Sequence, residues 1–279
     1  MKLCSNCQST MPLQARFCPN CGAKQLDINE APIEKILFDI DQAIDKQFTE
    51  QFFLALKRRI QNEHHGQHFQ AFSERVYESG FRDTISRKAD ELQDNIDIKK
   101  KQGLADYRQI NQAAELMMED ILDFFIIRFC PDLTDIDLPE TILKHQYSNN
   151  SKSDLQTLLK DYLDLDNEQE RIYRDFLNMP VEPLKNAGKA YLYPAKDEKI
   201  FFICDSSPLG NGKEGFAMTD RSLYWRAPFQ KGKNVNYQSI HNLKQEKDWV
   251  MINDQFFNIN PTLNLKLLKL LKKIQVWGY

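Results

Sequence analysis

The chain has 279 residues, 42% of them hydrophobic, with 18 Phe and 10 Tyr and a formal net charge of −3. That is apolar material for real cores and length for one large domain or two modest ones beside a small module. A pI near 6.0 argues against a dedicated nucleic-acid binder, and the most apolar stretch, residues 121–129, is broken by Asp123 and Arg128 and too short for a membrane span. The charge is uneven: residues 1–30 carry +1, residues 31–180 carry −10 and residues 181–279 carry +6. An acidic middle beside a basic C-terminal third predicts attraction within the molecule, or an anionic partner for the basic part.

Cys4 and Cys7, then Cys18 and Cys21, form two C-x2-C pairs with ten residues between them. Two such hooks offer four thiolates at tetrahedral corners, the closed coordination of a structural zinc ion. A segment this short cannot bury enough apolar surface to fold without a metal. Catalytic zinc is disfavoured, because catalysis needs an open position. The start, Met-Lys-Leu-Cys-Ser-Asn-Cys, lacks the apolar core of a signal peptide, and thiolate ligands need a reducing compartment, so the expected location is cytoplasmic. Cys130 and Cys204 stand alone among apolar neighbours and read as small buried hydrophobes. The run Phe17-Cys18-Pro19-Asn20-Cys21-Gly22-Ala23-Lys24 resembles the second knuckle of the short zinc-ribbon family found at the start of many bacterial proteins. The first knuckle departs from that pattern, with Ser5-Asn6 and Gln8 in place of the commoner Pro and Gly. The resemblance covers residues 1–25 and implies one structural zinc; residues 26–32 then read as a linker.

Residues 33–180 read as a helical domain. Ile33, Ile36, Leu37, Ile40, Ile44, Phe48 and Phe52 repeat at three- and four-residue steps, predicting one long helix stopped at Gly66. Further helices are expected from Phe69 to Gly80, from Arg82 to Lys101, and from Leu104 to Phe129, where Pro131 closes the last. Shorter ones are expected near 140–147, 153–164 and 167–178, the second capped by Ser151-x-x-Asp154. Pro180 and Pro183 mark a boundary.

From residue 184 the apolar period changes to two. Tyr191 and Tyr193, residues 200–204, Phe216 and Met218, residues 223–225, Val235 and Tyr237, residues 249–252 and residues 256–259 read as seven short strands, followed by a helix over 262–276. The fold class is therefore α+β and multi-domain, ending in a small antiparallel barrel or curved sheet capped by one helix. Residues 215–225, Tyr237-Gln238-Ser239-Ile240 and the terminal helix make this part similar to bacterial pleckstrin-homology-like domains, over about 185–277. That resemblance implies a binding scaffold rather than an enzyme and fixes no ligand.

Gly210-x-Gly212-x-x-Gly215 spells a dinucleotide-binding fingerprint, but a strand follows it where a helix N-terminus is required, so a hairpin loop is the reading. His64, His65 and His68 with Glu63 miss the zinc-protease order and read as a solvated helix end. Glu115, Glu119 and Asp123 follow an i, i+4, i+8 row without the histidines of a di-iron bundle, and read as an acidic face or a dock for the basic C-terminal part. Arg221, Tyr224, Trp225, Arg226, Lys231 and Lys233 gather charge and aromatics on adjacent strands, a candidate rim for a lipid phosphate or acidic peptide. The expected function is a non-catalytic zinc-ribbon adaptor that binds another protein through its ribbon and its pleckstrin-homology-like module. Two alternatives stand beside it: nucleic-acid binding through the ribbon and basic third, and recruitment to an anionic membrane surface.

Overall fold

The computed structural model describes residues 2–3, 10–11, 38–63, 69–146, 154–246 and 248–279. Cys4, Cys7, Cys18, Cys21, His64, His65, His68 and Ser151 lie outside these residues, and so does the side chain of Glu63. In the N-terminal unit, β1 (Lys2–Leu3) pairs antiparallel with β2 (Thr10–Met11), with Leu3 opposite Thr10. Residues Ile40–Tyr279 form a second compact unit.

That unit is α+β. Its helical part comprises α1 (Ile44–Glu63), α2 (Phe69–Glu78), α3 (Phe81–Lys101) and α4 (Tyr107–Phe129), followed by a 3-10 turn at Glu140–His145 and α5 (Leu155–Leu163). Phe52, Phe81 and Phe125 interlock where α1, α3 and α4 meet, with the last two rings 4.9 Å apart. Residues 38–43 are not helical, so the long first helix expected from Ile33 is corrected to a start at Ile44. Its first amide donates to Gln93 Oε1 on α3 at 3.2 Å, so packing supplies the acceptor that a helix start needs. Asp154, not Ser151, caps α5 by accepting from the Thr157 amide at 3.0 Å.

Two further expectations are corrected. The helix over 167–178 is instead a 3-10 turn and a short strand, β3 (Arg171–Tyr173). The boundary prolines open a helix, α6 (Val181–Ala190), and the strand expected at Tyr191 and Tyr193 is absent. Proline lacks the amide that a helix's first turn leaves unpaired anyway, so it starts helices as readily as it stops them.

The strands β4 (Ile200–Asp205), β5 (Gly215–Thr219), β6 (Ser222–Arg226) and β7 (Lys233–Asn236) form an antiparallel meander, with β3 added at the β4 edge. A second meander holds β8 (Leu243–Glu246), β9 (Trp249–Ile252) and β10 (Gln255–Phe257), and α7 (Pro261–Trp277) follows. Among the described residues these are two open sheets, not a closed barrel. Phe202, Phe216, Trp225, Val250 and Phe257 from both sheets bury against Leu263, Leu267, Leu270 and Leu271 of α7. The opposite face of the larger sheet, Ile203, Ala217 and Tyr224, is covered by Ala187 and Tyr191 of the α6 segment. No described helix is long and apolar enough to cross a membrane.

The other side of α7 carries Lys266, Lys269 and Lys273 at helical spacing. Lys266 pairs with Glu168 at 2.6 Å, Lys269 with Asp123 on α4 at 2.7 Å, and Lys273 with Asp120 at 3.6 Å. Arg59 of α1 joins the network, 2.6 Å from Asp123 and also paired with Glu119. Of the acidic row, Asp123 thus meets the basic C-terminal part, Glu119 pairs with Arg59 of α1 instead, and Glu115 is exposed. Burial alone would raise the Asp123 carboxyl, but Lys269 and Arg59 outweigh it and hold the group well below the usual carboxylate range.

Asp123→Ala removes the buried carboxylate that Arg59 and Lys269 share, so it should cost about 3–5 kcal/mol of unfolding free energy, read as a lower urea midpoint. Because the folded-state carboxyl is depressed, its stabilisation is present above the unfolded value near about 4 and is lost as pH falls below it. Thermal midpoints measured downward from neutral pH should therefore fall in that window, and less steeply in the variant.

Candidate functional site

Antiparallel register puts Asp205 of β4, Gly215 of β5 and Arg226 of β6 in one row at the same end of the larger sheet. The β4–β5 loop and the β6–β7 loop therefore leave from neighbouring positions, about 10 Å apart at two strand spacings. Each contains the same device, a turn with proline second and a large apolar residue third. In Ser207-Pro208-Leu209-Gly210 the Gly210 amide donates to the Ser207 carbonyl at 2.9 Å; in Ala227-Pro228-Phe229-Gln230 the Gln230 amide donates to the Ala227 carbonyl at 3.1 Å.

The two apolar residues face solvent. Leu209 is 84% exposed and Phe229 100% exposed. Phe229 also has φ 60°, the left-handed conformation that a type II turn demands at this position and that glycine fills without strain. A bulky side chain there costs about 1–2 kcal/mol. Strain and exposure coincide at this one residue, which makes it the candidate contact residue of this end of the sheet.

The loops beneath these tips are tightly built. Buried Asp205 accepts from the Ser207 amide at 2.9 Å, the Ser207 hydroxyl and the Gly212 amide at 3.0 Å, and the Ser207 oxygen accepts from the Asn211 amide at 2.9 Å. The amides that a phosphate would need in the G-x-G-x-x-G run are thus committed to Asp205 and Ser207, and β5 follows the run. Helix α6 braces both loops. Asn186 donates to the Asn211 carbonyl at 2.8 Å, and a methyl group on Gly212 or Gly232 would overlap the carbonyl of Pro183 or Ala190. Val181, 79% exposed, lies two residues before that Pro183.

The six residues expected to form one rim are divided. Arg226, Lys231 and Lys233 stand at this loop end, where the Arg226 Nε donates to the Gln230 carbonyl at 2.9 Å. Arg221 lies at the opposite end of β6, paired with Asp197 at 2.7 Å. Tyr224 and Trp225 are buried on opposite faces of the sheet: the Trp225 indole donates to the Phe256 carbonyl at 2.9 Å, and the Tyr224 hydroxyl donates to Glu198 at 3.0 Å. Burial would raise the Glu198 carboxyl, but hydrogen bonds from Thr219, the Ala195 amide and Tyr224 lower it. Both aromatics are structural. Leu209, Phe229, Val181 and exposed Lys213 were missed, although the paired Pro-Leu and Pro-Phe turns were visible in the sequence.

Elsewhere, buried His145 contacts Asp161 at 2.7 Å, tying the 3-10 turn to α5, and its ring packs on Tyr162 and Trp277. Among the described residues no group of His, Cys, Asp and Glu side chains could hold a metal ion. No match to this chain exists among protein-family models, curated proteins or solved structures.

Phe229→Gly keeps the left-handed turn but relieves its strain, and should leave the urea midpoint unchanged or raise stability by up to about 1 kcal/mol, the reverse of a core truncation. Cys130 and Cys204 should resist alkylation in the folded protein, because both are buried and burial pushes the Cys130 thiol up to about 12. Mass spectrometry after iodoacetamide treatment, with and without denaturant, checks this.

Proposed function

We propose that this chain is a non-catalytic adaptor, with a zinc ribbon over residues 1–25 and a pleckstrin-homology-like module as its two recognition units. The observation that carries the reading is the loop end of the larger sheet, where two braced turns hold Leu209 and Phe229 in solvent beside Arg226, Lys231 and Lys233. An exposed apolar pair rimmed by charge is a surface that meets something. The order of elements supports the module: a four-stranded meander, a three-stranded meander and a following helix, with β3 and α6 as additions. For the ribbon, the support is the pairing of β1 with β2. In the sequence Cys4 and Cys7 lie between these two paired strands. Cys4, Cys7, Cys18 and Cys21 would hold the zinc, whose part is to fold the ribbon.

Elemental analysis of protein prepared anaerobically should find about one zinc per chain, lost in Cys18→Ser. A tagged full-length chain should retain a stoichiometric partner protein from native extract, and Cys18→Ser should release it. No zinc, or the same capture by both proteins, would remove the ribbon's role.

A further inference from the structure

We propose that the cleft between α3 and α4 binds a straight-chain carboxylate, a fatty acid of medium length, with its head at Lys99. This site is separate from the loop end of the sheet and rests on neither the ribbon nor the pleckstrin-homology-like reading. Phe81 packs on Phe125 and Phe129, so the start of α3 meets the end of α4 and the two helices run antiparallel. One face of each lines the cleft. Lys88, Leu92, Ile96 and Lys99 recur at three- and four-residue steps on α3, and Ile110, Ala113, Met117 and Ile121 do so on α4. The cleft holds about 340 Å³, within the range of sites for small ligands. Its shape favours a thin ligand. Leu92, Ile96, Ile110 and Ile121 form the floor, and none is more than 4% exposed. A docked helix presses a broad apolar face into its groove, and this floor offers little area for one. A single alkyl chain can follow so narrow a slot.

The charges settle the head group. Among the described residues, those lining the cleft are Lys88, Glu91, Lys99 and Asp120. Lys88 pairs with Glu91 at 2.6 Å and Asp120 with Lys273 at 3.6 Å, so both carboxylates already have a cation. Lys99 has no carboxylate partner among the described residues, while its neighbour Lys100 is held by Asp41 at 2.9 Å. A ligand carboxylate beside Lys99 completes the set as a charge-assisted pair. The far end is polar but satisfied: the Gln146 amide there donates to the Asp120 carbonyl at 3.1 Å. From Lys99 back to Lys88 the helix covers about 16 Å. An extended alkyl chain advances about 1.3 Å per carbon, so about ten to twelve carbons fill that length.

The test is isothermal titration calorimetry of the full-length chain, stripped of lipid, with hexanoate, octanoate, decanoate, dodecanoate, hexadecanoate and decanol. Decanoate should bind once per chain. Affinity should rise about fourfold per added methylene as far as about twelve carbons and level off beyond. Decanol, which lacks the charge, should bind at least about tenfold more weakly than decanoate. Lys99→Met should weaken decanoate by that same factor and leave decanol unchanged, which a general loss of structure would not do. Ala113→Leu, at a partly buried helix position, fills the slot and should abolish binding of both, with its urea midpoint as the check that it folds. Three results each overturn the proposal: decanoate that does not saturate below about 1 mM, Lys99→Met binding it as the unaltered chain does, or affinity climbing without a break to hexadecanoate. If decanoate does not bind and Ala113→Leu changes the sedimentation of the protein, the cleft belongs to a second copy of the chain instead.

Discussion

A cluster of opposite charges, withdrawn from water between helices and sheet, holds the larger unit together. Asp123 sits between Arg59 and Lys269, so one carboxylate on α4 joins α1 to α7. Charges in such a place are costly to desolvate, and they persist because each has a partner at hydrogen-bonding distance. Their direction matters as much as their energy. Leucines on one side of α7 could slide against the sheets in several registers, but Lys266, Lys269 and Lys273 each meet a different carboxylate, which fixes the helix's rotation and its position along its axis.

With α7 fixed, both sheets are fixed against it, and the larger sheet gains a covered face and a working end. Helix α6 seals the face that α7 does not reach and props the two loops at one end. The bracing of Asp205, Ser207 and Asn186 lets Leu209 project without the loop folding back to hide it. Rigid support beneath an exposed apolar tip is the arrangement expected of a preorganised contact, since little ordering remains to be done on binding.

Much of this was legible in the chain. The helices of the middle showed themselves by period and by Gly80 and Gly103, both of which adopt the left-handed conformation that ends a helix. Six of the strands from Ile200 onward and the final helix could be anticipated from the shift to period two, but the strand expected at Tyr191 is absent, β8 was not expected, and two open sheets stand where one barrel or curved sheet was expected. What escaped was decided at a distance. Residues Arg171–Tyr173 lie in a sequence with helical character, and only the open edge of β4 makes them a strand. Arg221 and Arg226 are close in sequence, yet five residues of extended chain separate them by about 16 Å. Leu209 and Phe229 are far apart in sequence, and antiparallel register brings their loops together. Nor does residue type reveal exposure: Trp225 and Phe229 are both large and aromatic, and one is wholly buried while the other is wholly bare.

Helix α7 comes after every other described element, and its two sides close two different cores. Without it, Asp123 would lose Lys269, and the inner faces of both sheets would lie open. Detachment of α7 from the folded chain would therefore bare strands and charges together, so the larger unit should open as one cooperative piece rather than shed this helix by itself.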